Sequence, residues 1–298
     1  MAQQLQFENR IMKGIGGFYY VKTAEGLVTC KPKGIFRKRG ISPLAGDLVT
    51  LETEQDSTVI AQIAPRKNAL IRPPIANLDL LFVVAATVEP SPNYLVLDRM
   101  CAIALDKGIT PVLVATKTDL ADPEKFCDIY ARSGIELLIT APDNTSALDR
   151  IRELICGKVC AFTGNSGVGK STLLNRLIPQ LDQQTGEISK KLGRGRHTTR
   201  QVELFEAFGG LIADTPGFSS LEMERANPIL KENLQFCFPE FAPYLTACRF
   251  TGCSHRSEKG CAVRAAVESG EIHPQRYENY LLMYKDAEMV KEWERNER

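Results

Sequence analysis

Several features are missing from this chain. No stretch of its 298 residues is apolar over a membrane-spanning length, and the first residues lack the pattern of a secretion signal. A membrane-spanning or exported protein is therefore not expected, and the nine cysteines are not read as a disulfide framework. Excess charge is missing too: 37 basic against 36 acidic side chains leave a formal net charge of +1. Overall charge thus does not announce a nucleic-acid partner, and the basic residues are instead gathered locally. The length suits two or three compact units, and the expectation is a soluble cytoplasmic protein.

What is present is a pair of motifs in an unusual order. Thr116, Lys117, Thr118 and Asp119 spell T-K-T-D, the form of a guanine-reading element. It precedes a phosphate loop, G-N-S-G-V-G-K-S, made of Gly164, Asn165, Ser166, Gly167, Val168, Gly169, Lys170 and Ser171. D-T-P-G, from Asp214 to Gly217, follows both. An ordinary GTPase has its phosphate loop first. Base reader, phosphate cradle, then metal and γ-phosphate switch is the order of a circularly permuted one.

The flanks of the phosphate loop suit its chemistry. Lys158 to Thr163 reads as a buried strand, and Lys170 to Leu177 opens a helix with Leu173, Leu174 and Leu177 at helical spacing. The glycines let backbone N–H groups turn towards phosphate oxygens, and the helix N-terminus adds partial positive charge. Lys170 is expected to reach the β and γ phosphates, Ser171 to offer its hydroxyl to Mg²⁺, and Thr172 to complete the nucleotide-contacting set. Asp214 ends an apolar strand, where its carboxylate holds Mg²⁺ directly or through water, and Gly217 gives its N–H to the γ phosphate.

Asp119 can accept two hydrogen bonds from the N1–H and amino group of guanine, donors that adenine lacks at that edge. Lys117 lays its methylene stem along the base. Thr116 stands where Asn is commoner; its shorter hydroxyl predicts fewer ties to the phosphate loop and looser affinity. Thr140 and Ala141, at the end of an apolar strand, sit where a backbone N–H can meet the guanine O6; a plain turn is the alternative.

Six strand candidates, Leu78 to Ala86, Ile109 to Ala115, Ile135 to Thr140, Lys158 to Thr163, Val202 to Phe208 and Leu211 to Ala213, alternate with mostly helical segments. The pattern predicts an α/β doubly wound sheet with ligands at the strand carboxyl ends. Between Pro179 and Gln201, a glycine-rich basic stretch suits a mobile switch loop. There Thr198 or Thr199 is expected to bring a hydroxyl to Mg²⁺, and His197 is a candidate catalytic group; a solvated basic loop is the alternative. Phe218, after Gly217, cannot orient an attacking water as a Gln would, so intrinsic hydrolysis should lack roughly 10³ to 10⁵ in rate and need a partner.

Outside this core, Cys248, Cys253, His255 and Cys261 form C-x4-C-x-H-x5-C. Three thiolates and an imidazole suit one closed, structural Zn²⁺ site; reduced cysteines near a chance histidine are the alternative. The other six cysteines, in mainly apolar contexts, read as buried free thiols. Short strands at Gly17 to Val21, Leu27 to Cys30, Asp47 to Glu52 and Thr58 to Ile63 predict a small barrel, of OB type or another. Within it, K-P-K-G-I-F-R-K-R from Lys31 to Arg39 reads as a basic loop for RNA or as a solvated face. Pro65, Pro73 and Pro74 suggest a linker. Pro274 to Trp293 reads as a helix with Tyr277, Leu281, Tyr284 and Met289 available for one face, for core packing or RNA stacking.

The division expected is 1–68 for an OB-like RNA-binding unit, 69–220 for the permuted GTPase unit, and 221–298 for a mostly helical zinc-binding unit ending in a helix. Barrel, T-K-T-D, G-N-S-G-V-G-K-S, G-R-H-T-T, D-T-P-G and the Cys/His pattern, in this order, resemble the ribosome small-subunit-dependent GTPase A family over almost the whole chain. The resemblance implies a cytoplasmic, monomeric factor that binds GTP and GDP and uses Mg²⁺. It implies binding to the small ribosomal subunit late in maturation, contact with its 16S-type rRNA, and faster GTP hydrolysis there, with no membrane partner. Two other classes remain open: an ATP-using P-loop enzyme, which would not need Asp119, and an RNA-binding scaffold holding nucleotide as a structural ligand.

Overall fold

The computed structural model describes residues 8–54, 57–143, 145–178, 202–214 and 220–289. The chain begins with β1 (Asn9–Ile15), β2 (Phe18–Thr23), β3 (Gly26–Pro32), helix α1 (Gly34–Lys38), β4 (Leu48–Glu54) and β5 (Ser57–Ile63). β1 pairs with β2, β2 with β3, β3 with β5, β5 with β4, and β4 returns to β1, closing a five-stranded barrel. Ile11, Val21, Cys30, Val49 and Ile60 fill it, and Phe36 of α1 joins them.

Two expectations need correction here. The basic stretch Lys31 to Arg39 is not a loop: Lys31 and Pro32 end β3, and Gly34–Lys38 is a helix. Burying Phe36 fixes it there, and Arg37 and Lys38 in its last turn complement the helix dipole. Strand β1 was not expected from the pattern, because a bulge between Ile11 and Lys13 breaks the period of two. Ile11 and Met12 are both buried, the first in the barrel and the second in the core of the next unit.

The segment with Pro65, Pro73 and Pro74 is no free linker. It carries a two-stranded ribbon, β6 (Ala69–Leu70) and β7 (Ile75–Ala76), whose Leu70 and Ile75 pack into the next core. Then follow β8 (Leu80–Ala86), α2 (Tyr94–Asp106), β9 (Thr110–Thr116), α3 (Glu124–Tyr130), β10 (Glu136–Ile139), α4 (Ser146–Ile155), β11 (Val159–Thr163), α5 (Lys170–Leu177), β12 (Glu203–Ala207) and β13 (Gly210–Asp214). The sheet order is β10-β9-β8-β11-β13-β12, parallel except for β12. β8 is buried along all seven residues, as a central strand covered on both faces must be. One apolar cluster, with Met100, Phe126 and Tyr130, covers one face; a second, with Ile151, Leu173 and Leu177, covers the other. β1 also pairs with β12 at Lys13 and Glu203, so barrel and parallel sheet share one continuous hydrogen-bonded sheet.

The C-terminal part contains α6 (Ser220–Ala226), α7 (Lys231–Leu234), 3-10 turns over Gln235–Cys237 and Pro239–Ala247, α8 (Ala262–Glu268) and α9 (Pro274–Ala287). Phe238, Phe241, Val263, Ile272, Tyr280 and Met283 form its core, with Ala102 of α2 joining from the neighbouring unit. The buried face of α9 is Arg276, Asn279, Tyr280, Met283 and Ala287, not the expected apolar set. Tyr277, Leu281 and Tyr284 flank it, and Met289 is 79% exposed.

A charged residue at the centre of that face explains the misreading. The Arg276 guanidinium is buried against Asp98 of α2 at 2.5 Å and Glu240 at 2.7 Å. Tyr130 donates to Asp98 at 2.8 Å and Asn279 at 2.6 Å, so the carboxylate is well satisfied. Burial alone would lower the Arg276 pKa; Asp98 and Glu240 outweigh it and raise it.

Candidate functional site: a nucleotide cleft and a Cys3His cluster

The phosphate loop leaves β11 at Thr163 and becomes α5 at Lys170. Gly164 has φ +145°, and a Cβ there would lie 2.2 Å from the Val84 carbonyl, so no other residue fits. Gly169, at φ +88°, occupies the N-cap of α5. Val168 anchors the loop in the core, whereas Asn165, Ser166 and Gly167 are exposed, as are Ser171 and Thr172 in the first helical turn. Lys170 folds over this loop and donates to the carbonyls of Gly164 at 2.5 Å and Asn165 at 2.8 Å. Burial lowers its pKa.

T-K-T-D lies at the carboxyl end of β9, two strands from the phosphate loop in the order β9-β8-β11. The Thr116 hydroxyl donates to the Val168 carbonyl at 2.6 Å and so joins the two motifs directly. Thr118 donates to the Thr140 carbonyl at 3.0 Å, and the Thr140 hydroxyl donates to Ala115 at 2.8 Å, fixing the end of β10 beside it. Lys117 adopts φ +56°, a left-handed conformation that non-glycine residues hold only when neighbours enforce it. Thr87 enforces it by donating to the Lys117 carbonyl at 3.0 Å. A cavity of about 280 Å³ results, lined by Thr116, Lys117, Asp119, Thr140, Ala141 and Gly169 among others.

Two contributors escaped the sequence reading. Arg176, in the last turn of α5 and lining the same cavity, donates to the carbonyls of Ala141 at 3.1 Å and Pro142 at 2.9 Å, tying the strand end after β10 to the phosphate-loop helix. The turn after β8 lies against the cleft as well: the Lys117 ammonium donates to the Glu89 carbonyl, and Pro90 approaches Gly167. Its V-E-P-S-P sequence at a strand carboxyl end was the available signal.

Asp214 ends β13, adjacent and parallel to β11. It is solvent-exposed; the protein still removes part of its hydration and, with the Glu203 carboxylate, raises its pKa. The Asp214 carboxylate at the end of β13 and the Ser171 hydroxyl in the first turn of α5, which follows the neighbouring strand β11, are hard oxygen donors that fit Mg²⁺. His197, Thr198, Thr199, Gly217 and Phe218 lie outside the described residues.

The second cluster joins Cys248, Cys253, His255 and Cys261, with all four ligand atoms within 4.8 Å of one another. The His255 Nδ1 is 3.6 Å from Cys248 Sγ and 3.4 Å from Cys261 Sγ, matching the ~3.5 Å edge of a tetrahedral zinc site. Its Nε2 lies 3.0 Å from Gln235 Oε1, which orients the ring so that Nδ1 faces the sulfurs. Burial lowers the His255 pKa, favouring the neutral, ligating form, and pushes the Cys253 thiol up to about 12. The donor set fits zinc, which would hold the sulfurs as thiolates. Tyr277 donates to the His255 carbonyl at 2.7 Å and Tyr280 to Ser254 at 2.9 Å, seating the cluster on α9. Of the remaining cysteines, Cys30, Cys101, Cys160 and Cys237 are buried free thiols, while Cys127 is half-buried and Cys156 exposed.

A P-loop core in permuted order, carrying a five-stranded barrel before it and a Cys3His cluster after it, defines a circularly permuted GTPase. The profile of the RsgA GTPase family matches residues 63–224, and that of the RsgA N-terminal domain matches 8–60. The chain belongs to the RsgA GTPase family and is a GTP hydrolase. It is 43% identical over 281 residues to the small ribosomal subunit biogenesis GTPase RsgA of Geobacillus kaustophilus, covering 92% of this chain and 95% of that one. Against the protein of the same description from Streptococcus pyogenes, identity is 43% over 287 residues, with 96% and 97% covered. Among solved structures it resembles YloQ, described as a circularly permuted GTPase, at TM-score 0.77, 34% identity and 98% coverage of each chain. YjeQ from Thermotoga maritima gives TM-score 0.79, 30% identity, and 95% and 99% coverage. No described helix is long and apolar enough to cross a membrane.

Proposed function

We propose that this GTPase serves biogenesis of the small ribosomal subunit, binding it late in maturation and hydrolysing GTP faster when bound. The relatives' shared description supports the biogenesis role. The observation that carries the nucleotide reading is the 2.6 Å bond from Thr116 to Val168, which puts base reader and phosphate cradle in one cleft. The residues divide as 1–68 for the barrel unit, 69–220 for the GTPase unit and 221–298 for the zinc-binding unit. Barrel and zinc unit supply the contacts to 16S-type rRNA, and the factor acts as a cytoplasmic monomer.

In the cleft, Asp119 selects guanine, Lys117 and Thr116 flank the base, and Thr118 holds Thr140 and Ala141 towards its O6. Backbone N–H groups from Gly164 to Ser171 receive the phosphates, with Thr172 beside them. Lys170 now satisfies two loop carbonyls, and a β,γ-phosphate pair would draw its ammonium away from them. Ser171 and Asp214, with Thr198 or Thr199, would hold Mg²⁺, which when bound would supply positive charge to the phosphates. Gly217 is assigned to the γ phosphate, and His197 is the candidate catalytic group. Phe218 leaves the attacking water without an orienting side chain, so the subunit must complete the site.

Coupling to the C-terminal part runs through Arg99 of α2. It pairs with Glu224 of α6, the helix after D-T-P-G, and with Asp286 of α9. GTP favours the docked form, and hydrolysis permits release.

The test is steady-state GTP hydrolysis with and without purified small subunits. The reading requires large stimulation, and its loss in Lys170→Ala. Equal rates with and without subunits would reject it.

A further inference from the structure

Three charged residues form a row across the junction between barrel and nucleotide-binding sheet. Lys13 of β1 pairs directly with Glu203 of β12, and Glu203 pairs directly with Asp214 of β13. Both pairings are antiparallel, so directly opposed side chains stand on the same face of the sheet. The order of charge along the row is plus, minus, minus. Lys13 Nζ meets Glu203 Oε1 at 2.7 Å, with 24% and 37% of the side chains exposed. The same ammonium lies 5.0 Å from the centre of the Tyr20 ring, on the neighbouring barrel strand. Opposed like charges such as Glu203 and Asp214 repel. The fold keeps them together and sets a barrel cation on the far side of the pair.

We propose that Lys13 is a positioning residue for the magnesium site: by pairing with Glu203 it sets how much negative charge faces Asp214, and so how readily the nucleotide cleft takes up Mg²⁺. This rests on the reading of Asp214 as a magnesium-holding residue. The physical content is a difference of distance. Glu203 stands one strand from Asp214, and Lys13 two strands, at about 4.8 Å per strand. Neutralising Glu203 therefore removes the nearer, attractive charge for a divalent cation, whereas neutralising Lys13 removes the farther, repulsive one. An anion that drew Lys13 off Glu203 from the barrel side would act as Lys13→Met does. Events at the barrel surface thereby reach the nucleotide cleft without any movement of the backbone.

The experiment measures the Mg²⁺ concentration that half-saturates binding of guanylyl imidodiphosphate, a non-hydrolysable GTP analogue, to the full chain. Melting temperature without Mg²⁺ is recorded in parallel to verify folding. Lys13→Met should lower that concentration about threefold, Glu203→Gln should raise it about threefold, and the double variant should fall between them. At 1 M KCl both shifts should shrink, since the pair is partly exposed to solvent. A structural role alone would move both variants the same way and resist salt, and that result overturns the proposal. So does an unchanged Mg²⁺ requirement in both variants while Asp214→Asn raises it more than tenfold. If Asp214→Asn itself changes nothing, the magnesium role of Asp214 falls, and the proposal with it. Should Lys13→Met not fold, Lys13→Gln takes its place: a lowered Mg²⁺ requirement supports the proposal, and an unchanged one beside an upward shift in Glu203→Gln overturns it.

Discussion

The Thr116 hydroxyl donates to the Val168 carbonyl at 2.6 Å across 52 residues of chain. Shorter than an Asn side chain, Thr116 was expected to make fewer ties to the phosphate loop; its hydroxyl makes one, directly. Thr116→Val, similar in shape, should destabilise the protein by about 1–3 kcal/mol and weaken GDP binding about tenfold, whereas Thr116→Ser should retain both. Fluorescent-nucleotide titration and thermal melting check this.

Asp119 is expected to carry the choice of base. Losing two charge-assisted hydrogen bonds to guanine, about 1.5–3 kcal/mol each, Asp119→Ala should bind GTP roughly 10² to 10⁴ times more weakly and leave ATP binding unaltered. Competition of GTP and ATP for a labelled GTP analogue measures the ratio.

The Cys3His cluster predicts one zinc per chain. Cys253→Ser, or removal of the metal by a chelator, should lower the melting temperature by roughly 10 °C, a loss of several kcal/mol for a chain of this size. Because the cluster packs with Phe241 and Tyr280 rather than in the nucleotide cleft, GDP affinity should change less than about threefold. Elemental analysis, melting and nucleotide titration give the three readouts.

Glu258 lies in the same loop. Burial opposes its ionisation, but the Ser254 hydroxyl and the backbone N–H groups of Glu258 itself, Ser254 and Arg256 outweigh that and hold its pKa at about 2, below the ordinary 4.5. A carboxylate with a depressed folded-state pKa stabilises above its unfolded pKa and loses that contribution as pH falls from about 4.5 towards 2. Glu258→Gln should therefore cost about 1 kcal/mol at pH 7 after solvent screening, with the difference from the unaltered protein closing below pH 4. Urea denaturation across that range tests the sign.

Arg276 and Asp98 join α9 to α2 inside the protein. Asp98→Ala leaves a buried guanidinium with less compensation and should cost about 3–5 kcal/mol. Adding Arg276→Met should recover part of that loss, because the unpaired charge goes with it. A double-mutant cycle in urea measures the coupling.

The local motifs were legible because their chemistry depends on neighbours in the chain. The phosphate loop needs Gly164 and Gly169 in left-handed or unusual backbone and Lys170 at the helix start, and all three sit within one short segment. The Cys3His set spans 14 residues, from Cys248 to Cys261, and the structure gathers all four. Short-range pattern also fixed α5 at Lys170 to Leu177, since its leucines recur at helical spacing. Strand β1 and the buried face of α9 were hidden for a shared reason. Each departs from a simple apolar period, β1 by a bulge that sends Ile11 and Met12 into different cores, α9 by a buried arginine.

By itself, then, the sequence determined the permuted order of motifs, the α/β class and the Cys3His donor set, because residue type and spacing suffice for those. Tertiary structure alone decided that Thr116 meets Val168, that Arg176 holds the carbonyls after β10, that Asp98 finds its cation 178 residues away, and that Lys13 reaches Glu203 across 190. Such pairings depend on strand order and register. No local pattern encodes them, because each partner taken alone reads as an ordinary polar side chain or backbone carbonyl.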